Sequence, residues 1–493
     1  SGLIWAIDNW IYRTYGTYRI RLQPGGEVIK EDCAGGGQWG LTADDEGKVI
    51  FCNAGGERGP EHFNTHTLYG KLGGVQAPGY REVWPRDDIP DVQGGLRRLR
   101  DDNTLNHFTA TCGQSVYRAR RLPPDFWGNL VFGEPVGRLV RRSVFEERLG
   151  ETHVANAYDR DEFITATDAN FRPINSAVGP DGGLYLVDMY RGIIQEGNWV
   201  RPGSYLRRIV DATGLAKNVM RGRIWRVTHE DYERNPERPN MLGRPAIELV
   251  QYLSHENGWW RDTAQVQIVV TGDRSPRVVS ALKELARTGD SELGRLHALW
   301  TLEGLGIVDL GLLREKFEDR SVRVQRGALR IAEGPLRTGN PELLGDVLAL
   351  ASSRHPQLLK QLALTISRAK VADPIAQLQK LQLQHSHLIG VVKLCTRLIK
   401  QHKKKLAALE RKRRLARAER LNLASYDRGK QLYDTLCHTC HGKDGRALVV
   451  GEQSMATDFR DSVRLRHAHP DALIKSVLHG LTGELSGCTH VGV

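Results

Sequence analysis

The chain has 493 residues, and its 70 lysines and arginines outnumber its 58 aspartates and glutamates, giving a formal net charge of +12. A chain of this length is typical of two to four domains and is long enough for a large hydrophobic core. It contains no apolar run of about 18 residues or more, so no transmembrane helix is predicted within it. The positive excess is compatible with nucleic-acid binding, and the distribution of the charge along the chain bears on that interpretation.

The chain begins at Ser1 without an initiator Met or a signal-peptide pattern, and it stops at Val493. We expect it to be part of a longer protein. The missing signal peptide therefore does not indicate a cytosolic protein.

Residues 1–230 carry short alternating apolar runs between turn sequences, a pattern that predicts an all-β domain. The sequence D-D-E-G-K-V-I-F-C-N at 44–53 is similar to G-P-D-G-G-L-Y-L-V-D at 179–188. A repeated unit of turn and strand is typical of β-propeller blades of about 40–50 residues. We expect four or five blades and therefore an incomplete N-terminal propeller. A β-sandwich is the alternative.

Residues 245–370 change to helical periodicity. The alanines Ala264, Ala298, Ala328 and Ala363 follow one another at intervals of 34, 30 and 35 residues. Small residues at a nearly fixed period allow paired helices to pack closely. We therefore predict an α-solenoid of HEAT-like helix pairs, which is usually a scaffold or a docking surface.

Residues 371–424 are poor in glycine and predict a helical, basic connector. Residues 400–420 hold ten Lys or Arg and two Glu, a local charge of +8. Such a run would contact nucleic-acid phosphates, but it has no interleaved aromatic residues and no recognition motif. A solvated helix face is the preferred interpretation, and no nucleic acid is expected as a partner. Contact with an anionic membrane surface is a third alternative.

The sequence Cys437-His-Thr-Cys440-His441 is the C-x-x-C-H pattern of c-type haem attachment. Two thiols would add to the haem vinyl groups, and the following imidazole would be the axial ligand of the iron. A redox dithiol or half of a zinc site would leave the adjoining histidine unexplained. We therefore predict that residues 425–493 form an all-α cytochrome c domain, with haem c on Cys437, Cys440 and His441.

The second axial ligand of the iron stays open. Met455 is only 14 residues beyond His441. We expect the ligand to be a methionine beyond Val493, and hence the cytochrome domain to be truncated. The other candidates are the histidines His467, His469, His479 and His490.

Several segments resemble one family. They include F-R-P-I-N at 171–175, G-P-D-G-G-L-Y-L-V-D-M-Y-R at 179–191, H-F-T-A-T-C-G at 107–113 and N-G-W-W-R-D-T-A-Q at 257–265. The chain is similar in these segments to membrane-bound dehydrogenase-like proteins. Those proteins join a propeller related to quinoprotein glucose/sorbosone dehydrogenases to HEAT-like repeats and a C-terminal class I cytochrome c.

The resemblance implies an exported, periplasmic or membrane-associated enzyme that oxidises a sugar or alcohol with pyrroloquinoline quinone, assisted by Ca²⁺. His107 would be the base, Arg172 would hold a quinone carboxylate, and Asp188 and Arg191 would face the channel. Electrons would leave through the haem to a redox partner protein. Each residue also has a structural alternative: a loop position for His107, ion pairs within a blade for Arg172 and Arg191, and a turn cap for Asp188.

Two other functions remain open from the sequence. In the first, the propeller and solenoid bind partners only, and the haem makes the protein an electron carrier. In the second, residues 400–420 make the chain a nucleic-acid-binding scaffold.

Overall fold

A computed structural model describes residues 2–23, 26–53, 58–61, 64–88, 95–194, 200–232, 237–446, 449–450 and 453–454. The chain divides into two compact units, Ser1–His402 and Lys403–Val493. In the first unit antiparallel sheets come first and helices follow, so the predicted order of a β region and an α region is confirmed.

The first two sheets are antiparallel meanders in which each strand pairs with the next along the chain. The first contains β1 (Leu3–Trp5), β2 (Ile11–Arg13), β3 (Tyr18–Leu22) and β4 (Val28–Asp32). The second contains β5 (Leu41–Ala43), β6 (Val49–Asn53) and β7 (Gly59–Glu61).

The third sheet has the strand order β8-β12-β11-β10-β9, with β13 paired to β11. Its strands are β8 (Val75–Gln76), β9 (Cys112–Val116), β10 (Leu130–Glu134), β11 (Leu139–Arg148), β12 (Glu151–Asn156) and β13 (Ile164–Thr165). Only β8 and β12 run parallel. The fourth sheet consists of β14 (Pro173–Val178), β15 (Leu184–Asp188) and β16 (Arg223–Val227). None of these sheets closes on itself within the described ranges.

The sequence repeat at 44–53 and 179–188 corresponds to a shared local structure. In the first copy, Asp44 Oδ1 accepts hydrogen bonds from the backbone N–H groups of Glu46 and Lys48, at 3.0 and 2.8 Å. In the second copy, Asp181 Oδ1 accepts one from Gly183 N–H at 3.1 Å. Each turn leads directly into a strand, β6 or β15, because the carboxylate satisfies backbone donors at the reversal of the chain.

The prediction that residues 1–230 are entirely β is wrong: the described part of this region contains short 3-10 turns and an α-helix, α1 (Tyr205–Thr213). Ser204 caps its first turn by accepting a hydrogen bond from Arg207 N–H at 3.1 Å. Gly214 ends it in the left-handed conformation, at φ 68°. Leu206 and Val210, four residues apart, are both buried. The cap, the apolar pair and the glycine are local helix indicators that outweigh the surrounding strand pattern.

A stack of helix pairs follows. The first helices of the pairs are α3 (Gly258–Thr271), α5 (Glu292–Gly304), α7 (Val322–Thr338) and α9 (Pro356–Arg368). The second helices are α4 (Pro276–Thr288), α6 (Leu310–Phe317), α8 (Leu344–Ala349) and α10 (Pro374–Gln384), and the short α2 (Ala246–Leu249) precedes them all. Neighbouring first helices pack on one another in chain order. The alanines Ala264, Ala298, Ala328 and Ala363 each lie in a first helix and are fully buried, as their spacing predicts.

The packing of the stack continues past residue 370. Leu378 and Leu381 of α10 are buried in the same apolar core as the preceding helices, and so is Leu398 of α11 (Ile389–Leu432). Leu406 and Leu409, further along α11, are half exposed. Of these three leucines of α11, only Leu398 is therefore covered.

The second unit contains the rest of α11, a π-helical turn at Tyr433–Cys437 and α12 (His438–His441). The short strands β17 (Val449–Val450) and β18 (Gln453–Ser454) pair antiparallel. From residue 403 to residue 420 every side chain that is described is exposed. Among the helices of the described segments, none has the length and apolar character needed to span a membrane.

In the first unit the β region is docked on the helices through charged turns. Asp45 Oδ1 accepts hydrogen bonds from Arg118 Nε at 2.6 Å and from Arg261 Nη2 of α3 at 2.5 Å. Arg21 of β3 donates to Glu303 of α5 at 2.6 and 2.9 Å. These pairs join residues that are far apart in sequence, so the two regions form one folded unit.

Candidate functional site

The C-x-x-C-H segment lies at the end of a long helical run. Cys437 is the last residue of the π-helical turn, and Cys440 and His441 are in α12. Residues separated by three and four positions share one side of a helix. Continuous helical backbone thus places positions 437, 440 and 441 on the same side. No break in the chain separates the two cysteine positions.

The side chains of this segment have the chemistry of a haem c attachment site. Cys437 is a free, half-buried cysteine, and His441 is only 7% exposed. Nδ1 of His438 is buried without a hydrogen-bond partner among the described atoms. Two cysteine positions and an adjoining imidazole are the groups that haem c requires. The residues present therefore fit the group, although the described side chains include no assembled cluster of three or more metal-binding groups.

The candidates for the second axial ligand lie outside the described residues. They are Met455, His467, His469, His479 and His490. The choice among them, or of a methionine beyond Val493, stays a prediction.

His107 lies beside a cavity of about 770 Å³ in the β region of the first unit. The cavity is lined by polar and charged side chains, among them Glu61, Lys71, Arg81, Glu82 and His107. His107 forms an isolated bridge with Glu82, and its Nδ1 lies 3.1 Å from Asn106 Oδ1. The structure thus places an imidazole at an open polar groove large enough for a small molecule.

A buried ion pair supports one wall of this groove. The side chains of Arg141 and Glu162 are both fully buried, and they are joined by two hydrogen bonds at 2.5 and 2.6 Å. Arg141 also donates to the carbonyl oxygens of Tyr80 and Glu82, at 2.8 and 2.7 Å. The guanidinium therefore fixes the backbone of two residues that line the groove.

Arg172, Asp188 and Arg191 come together with one another but do not line this groove. The guanidinium of Arg172 is buried and donates to three backbone carbonyls: those of Arg191 at 3.0 Å, Pro135 at 2.8 Å and Gly192. These contacts orient it toward the protein backbone. The expected contact of Arg172 with a quinone carboxylate stays a prediction.

Asp188 is buried at the end of β15 and accepts three hydrogen bonds. Its Oδ1 accepts from the backbone N–H groups of Arg172 and Tyr190, both at 2.8 Å, and its Oδ2 accepts from Trp225 Nε1 at 3.1 Å. This geometry agrees with the turn-capping alternative. The side chain of Arg191 is half-buried, while its carbonyl oxygen is the acceptor for Arg172.

Glu134 is a buried carboxylate that the sequence did not single out as a site residue. It accepts hydrogen bonds from the N–H groups of Thr109, Ala110 and Val136, at 2.9, 2.8 and 3.2 Å. Burial raises the pKa of Glu134, and these hydrogen bonds oppose the rise. The contact holds the segment that begins at His107 against β10.

Residues 1–231 match the family model described as a domain of unknown function, DUF7133. The match covers slightly less than half of the chain and includes the β region with the groove at His107. No curated protein and no solved structure matches the chain. The description of this family gives no function, so the function is argued from the residues themselves.

Proposed function

We propose that this protein is an exported haem c protein that transfers electrons. The observation that carries the proposal is the Cys437-His-Thr-Cys440-His441 sequence on continuous helical backbone, with His441 buried. The resemblance to class I cytochrome c, to a quinoprotein propeller and to HEAT-like repeats belongs to the same proposal. Since haem c is attached outside the bacterial cytoplasm, the proposal entails export to the periplasm or a membrane-associated location.

The residues of the segment have distinct roles in this proposal. Cys437 and Cys440 would hold the haem through thioether bonds, each formed by addition of the S–H group across one vinyl group, with the sulfur on one vinyl carbon and the hydrogen on the other. No oxidant or reductant is consumed. His441 would hold the iron through its imidazole, and its side chain is shielded from solvent. When bound, the iron would gain and lose one electron.

A second candidate function, the oxidation of a sugar or alcohol, is favoured by the groove at His107. The groove offers donors, acceptors and charges of both signs, which suit a ligand rich in hydroxyl groups. His107 would accept a proton from the substrate. In the quinone-dependent form of this hypothesis Arg172 would hold a quinone carboxylate; its described contacts are with backbone carbonyls.

The electron-carrier hypothesis needs the haem alone, with the β region and the helical stack as binding surfaces. The nucleic-acid hypothesis needs the exposed basic residues of 400–420. Exposed basic residues are also typical of a solvated helix face. Because this run has no interleaved aromatic residues and no recognition motif, we expect no nucleic-acid partner.

Covalent haem attachment tests the main proposal. The full chain is produced together with a cytochrome c maturation system, and the tryptic peptide containing Cys437 and Cys440 is analysed by mass spectrometry. We expect a haem-linked peptide. His441→Ala should retain the thioethers but lose the axial imidazole and shift the Soret band. His229→Ala, a histidine of the first unit whose side chain is 40% exposed, is the control and should keep the wild-type spectrum.

Reduction of the attached haem tests the second candidate. Pyrroloquinoline quinone, Ca²⁺ and a panel of sugars and alcohols are added to the haem-loaded protein, and the reduced haem band is followed. A dehydrogenase should show substrate-dependent reduction that His107→Asn lowers by at least about tenfold. His153→Asn, on β12 of the third sheet, serves as the control. Reduction by none of the substrates would favour the electron carrier.

A further inference from the structure

The segment around Cys437 contains a feature that the C-x-x-C-H pattern does not include. α11 ends at Leu432, and the next five residues, Tyr433–Cys437, form a π-helical turn. The backbone N–H of His438 closes this turn by donating to the carbonyl of Tyr433. π-Helical turns are rare and often occur at functional sites, because they change the direction of the side chains that follow.

The side chain of Tyr433 connects this turn to the other end of the segment. Its hydroxyl donates a hydrogen bond of 2.8 Å to the carbonyl oxygen of Gly442, nine residues later. Gly442 immediately follows His441. The bond therefore joins the residue that opens the π-helical turn to the residue that follows the proposed axial ligand.

Gly442 makes two further backbone hydrogen bonds. Its N–H donates to His438 O at 2.8 Å, and its carbonyl also accepts from Gly445 N–H at 3.3 Å. Its φ of +68° is in the left-handed region that favours glycine. A Cβ atom at this position would lie 2.7 Å from the carbonyl oxygen of Arg446. The chain thus reverses tightly after His441, and the hydroxyl of Tyr433 binds the reversal to the helix.

We infer that Tyr433 is a positioning residue for haem attachment, acting through its hydroxyl bond to Gly442. The bond restrains both ends of the segment that carries Cys437, Cys440 and His441 before any haem is present. It thereby increases the fraction of chains in which both thiols and the imidazole are positioned to bind the same haem. The inference rests on the proposed function, and it concerns the hydroxyl group and not the aromatic ring.

The test is Tyr433→Phe in the full chain, which removes the hydroxyl and keeps the ring. The matched control is Tyr426→Phe, an exposed tyrosine on α11. Both variants and the wild type are produced with the maturation system. Mass spectrometry then gives the fractions of chains with two, one and no thioether bonds after a fixed induction time. Circular dichroism checks that the helical content is unchanged.

We expect Tyr433→Phe to lower the doubly attached fraction about fivefold, since a net hydrogen bond is worth roughly that factor in an equilibrium. Tyr426→Phe should behave as the wild type does. Gly442→Ala, whose Cβ would contact Arg446 O, should reproduce the loss by another route. Equal attachment in Tyr433→Phe and the wild type would overturn the inference, and so would equal losses in Tyr433→Phe and Tyr426→Phe. If the wild type itself carries no haem, the proposed function fails instead.

Discussion

Asp45 offers the sharpest test of how the β region is joined to the helical stack. Its Oδ1 accepts charge-assisted hydrogen bonds from Arg118 at 2.6 Å and from Arg261 at 2.5 Å. The side chain of Arg261 is 1% exposed, and among the described residues its other acceptors are the carbonyls of His255 and Glu256. Asp45→Asn would leave this buried guanidinium without a carboxylate.

The expected cost follows from the two hydrogen bonds. A hydrogen bond to a charged group contributes about 1.5–3 kcal/mol, and an asparagine oxygen retains part of it. We expect Asp45→Asn to lower the free energy of unfolding by about 2–4 kcal/mol. The matched control is Asp262→Asn. Asp262 also pairs with Arg118, but it is 37% exposed, so its loss should cost no more than about 1 kcal/mol.

Urea unfolding, followed by circular dichroism and by tryptophan fluorescence, measures both variants. Burial would raise the pKa of Asp45, but Arg118 and Arg261 outweigh that effect and hold the pKa below its usual value. A lowered pKa stabilises the fold above the unfolded value, and the contribution is lost as the pH falls. The difference between wild type and Asp45→Asn should therefore be constant above about pH 5 and narrow below about pH 4. Equal costs for Asp45→Asn and Asp262→Asn would refute the reasoning.

Three further predictions concern other parts of the chain. Burial lowers the pKa of Lys360 to about 7, so the unfolded chain binds more protons between pH 7 and 10. The urea midpoint of the wild type should rise over that window relative to Lys360→Met, and parallel curves would contradict this. Gly113→Ala would place its Cβ 2.2 Å from Asn175 Cα, whereas Gly128 shares a positive φ but has open space around it. In thermal unfolding, Gly113→Ala should thus lower the free energy of unfolding by at least about 2 kcal/mol more than Gly128→Ala does. Equal costs would show that β9, which contains Gly113, and β14, which contains Asn175, approach each other less closely. Leu398→Ala should cost about 2–4 kcal/mol and Leu409→Ala less than about 0.5, since the side chains are 4% and 45% exposed. A larger cost for Leu409→Ala than for Leu398→Ala would mean that the packed part of α11 extends to Leu409.

The helical stack shows what the sequence predicts well. The spacing of Ala264, Ala298, Ala328 and Ala363 depends on close contacts between neighbouring helices, so it can be read from residue size alone. The turn at Asp44 is equally local, because its carboxylate binds backbone donors two and four residues ahead. Such features need no knowledge of the rest of the chain.

β3 shows what the sequence does not predict. Its alternation of Tyr, Arg, Ile, Arg and Leu suggests that the arginines face solvent. Instead Arg19 and Arg21 are buried. Arg19 pairs with Asp8 and Glu31, and Arg21 pairs with Glu303. These acceptors lie up to about 280 residues away, so a strand pattern cannot reveal which face is covered.

The candidate functional residues also include some that the sequence predicts and some that it does not. The C-x-x-C-H sequence is contiguous, and it could be recognised without a structure. The groove at His107 depends on Arg141 and Glu162 meeting across the third sheet, which no local pattern indicates. Arg172 was predicted from a resemblance, and its contacts with the carbonyls of Pro135 and Arg191 are visible only in the folded chain.

The most direct measurement of the central claim is the chemical state of Cys437 and Cys440 in the full chain made with a cytochrome c maturation system. A known cytochrome c matured in the same cells is the positive control. The account predicts a peptide that carries haem on both sulfurs, and predicts its loss in the double variant Cys437→Ala, Cys440→Ala. Two free thiols that react with an alkylating reagent, alongside a fully matured control, would contradict it.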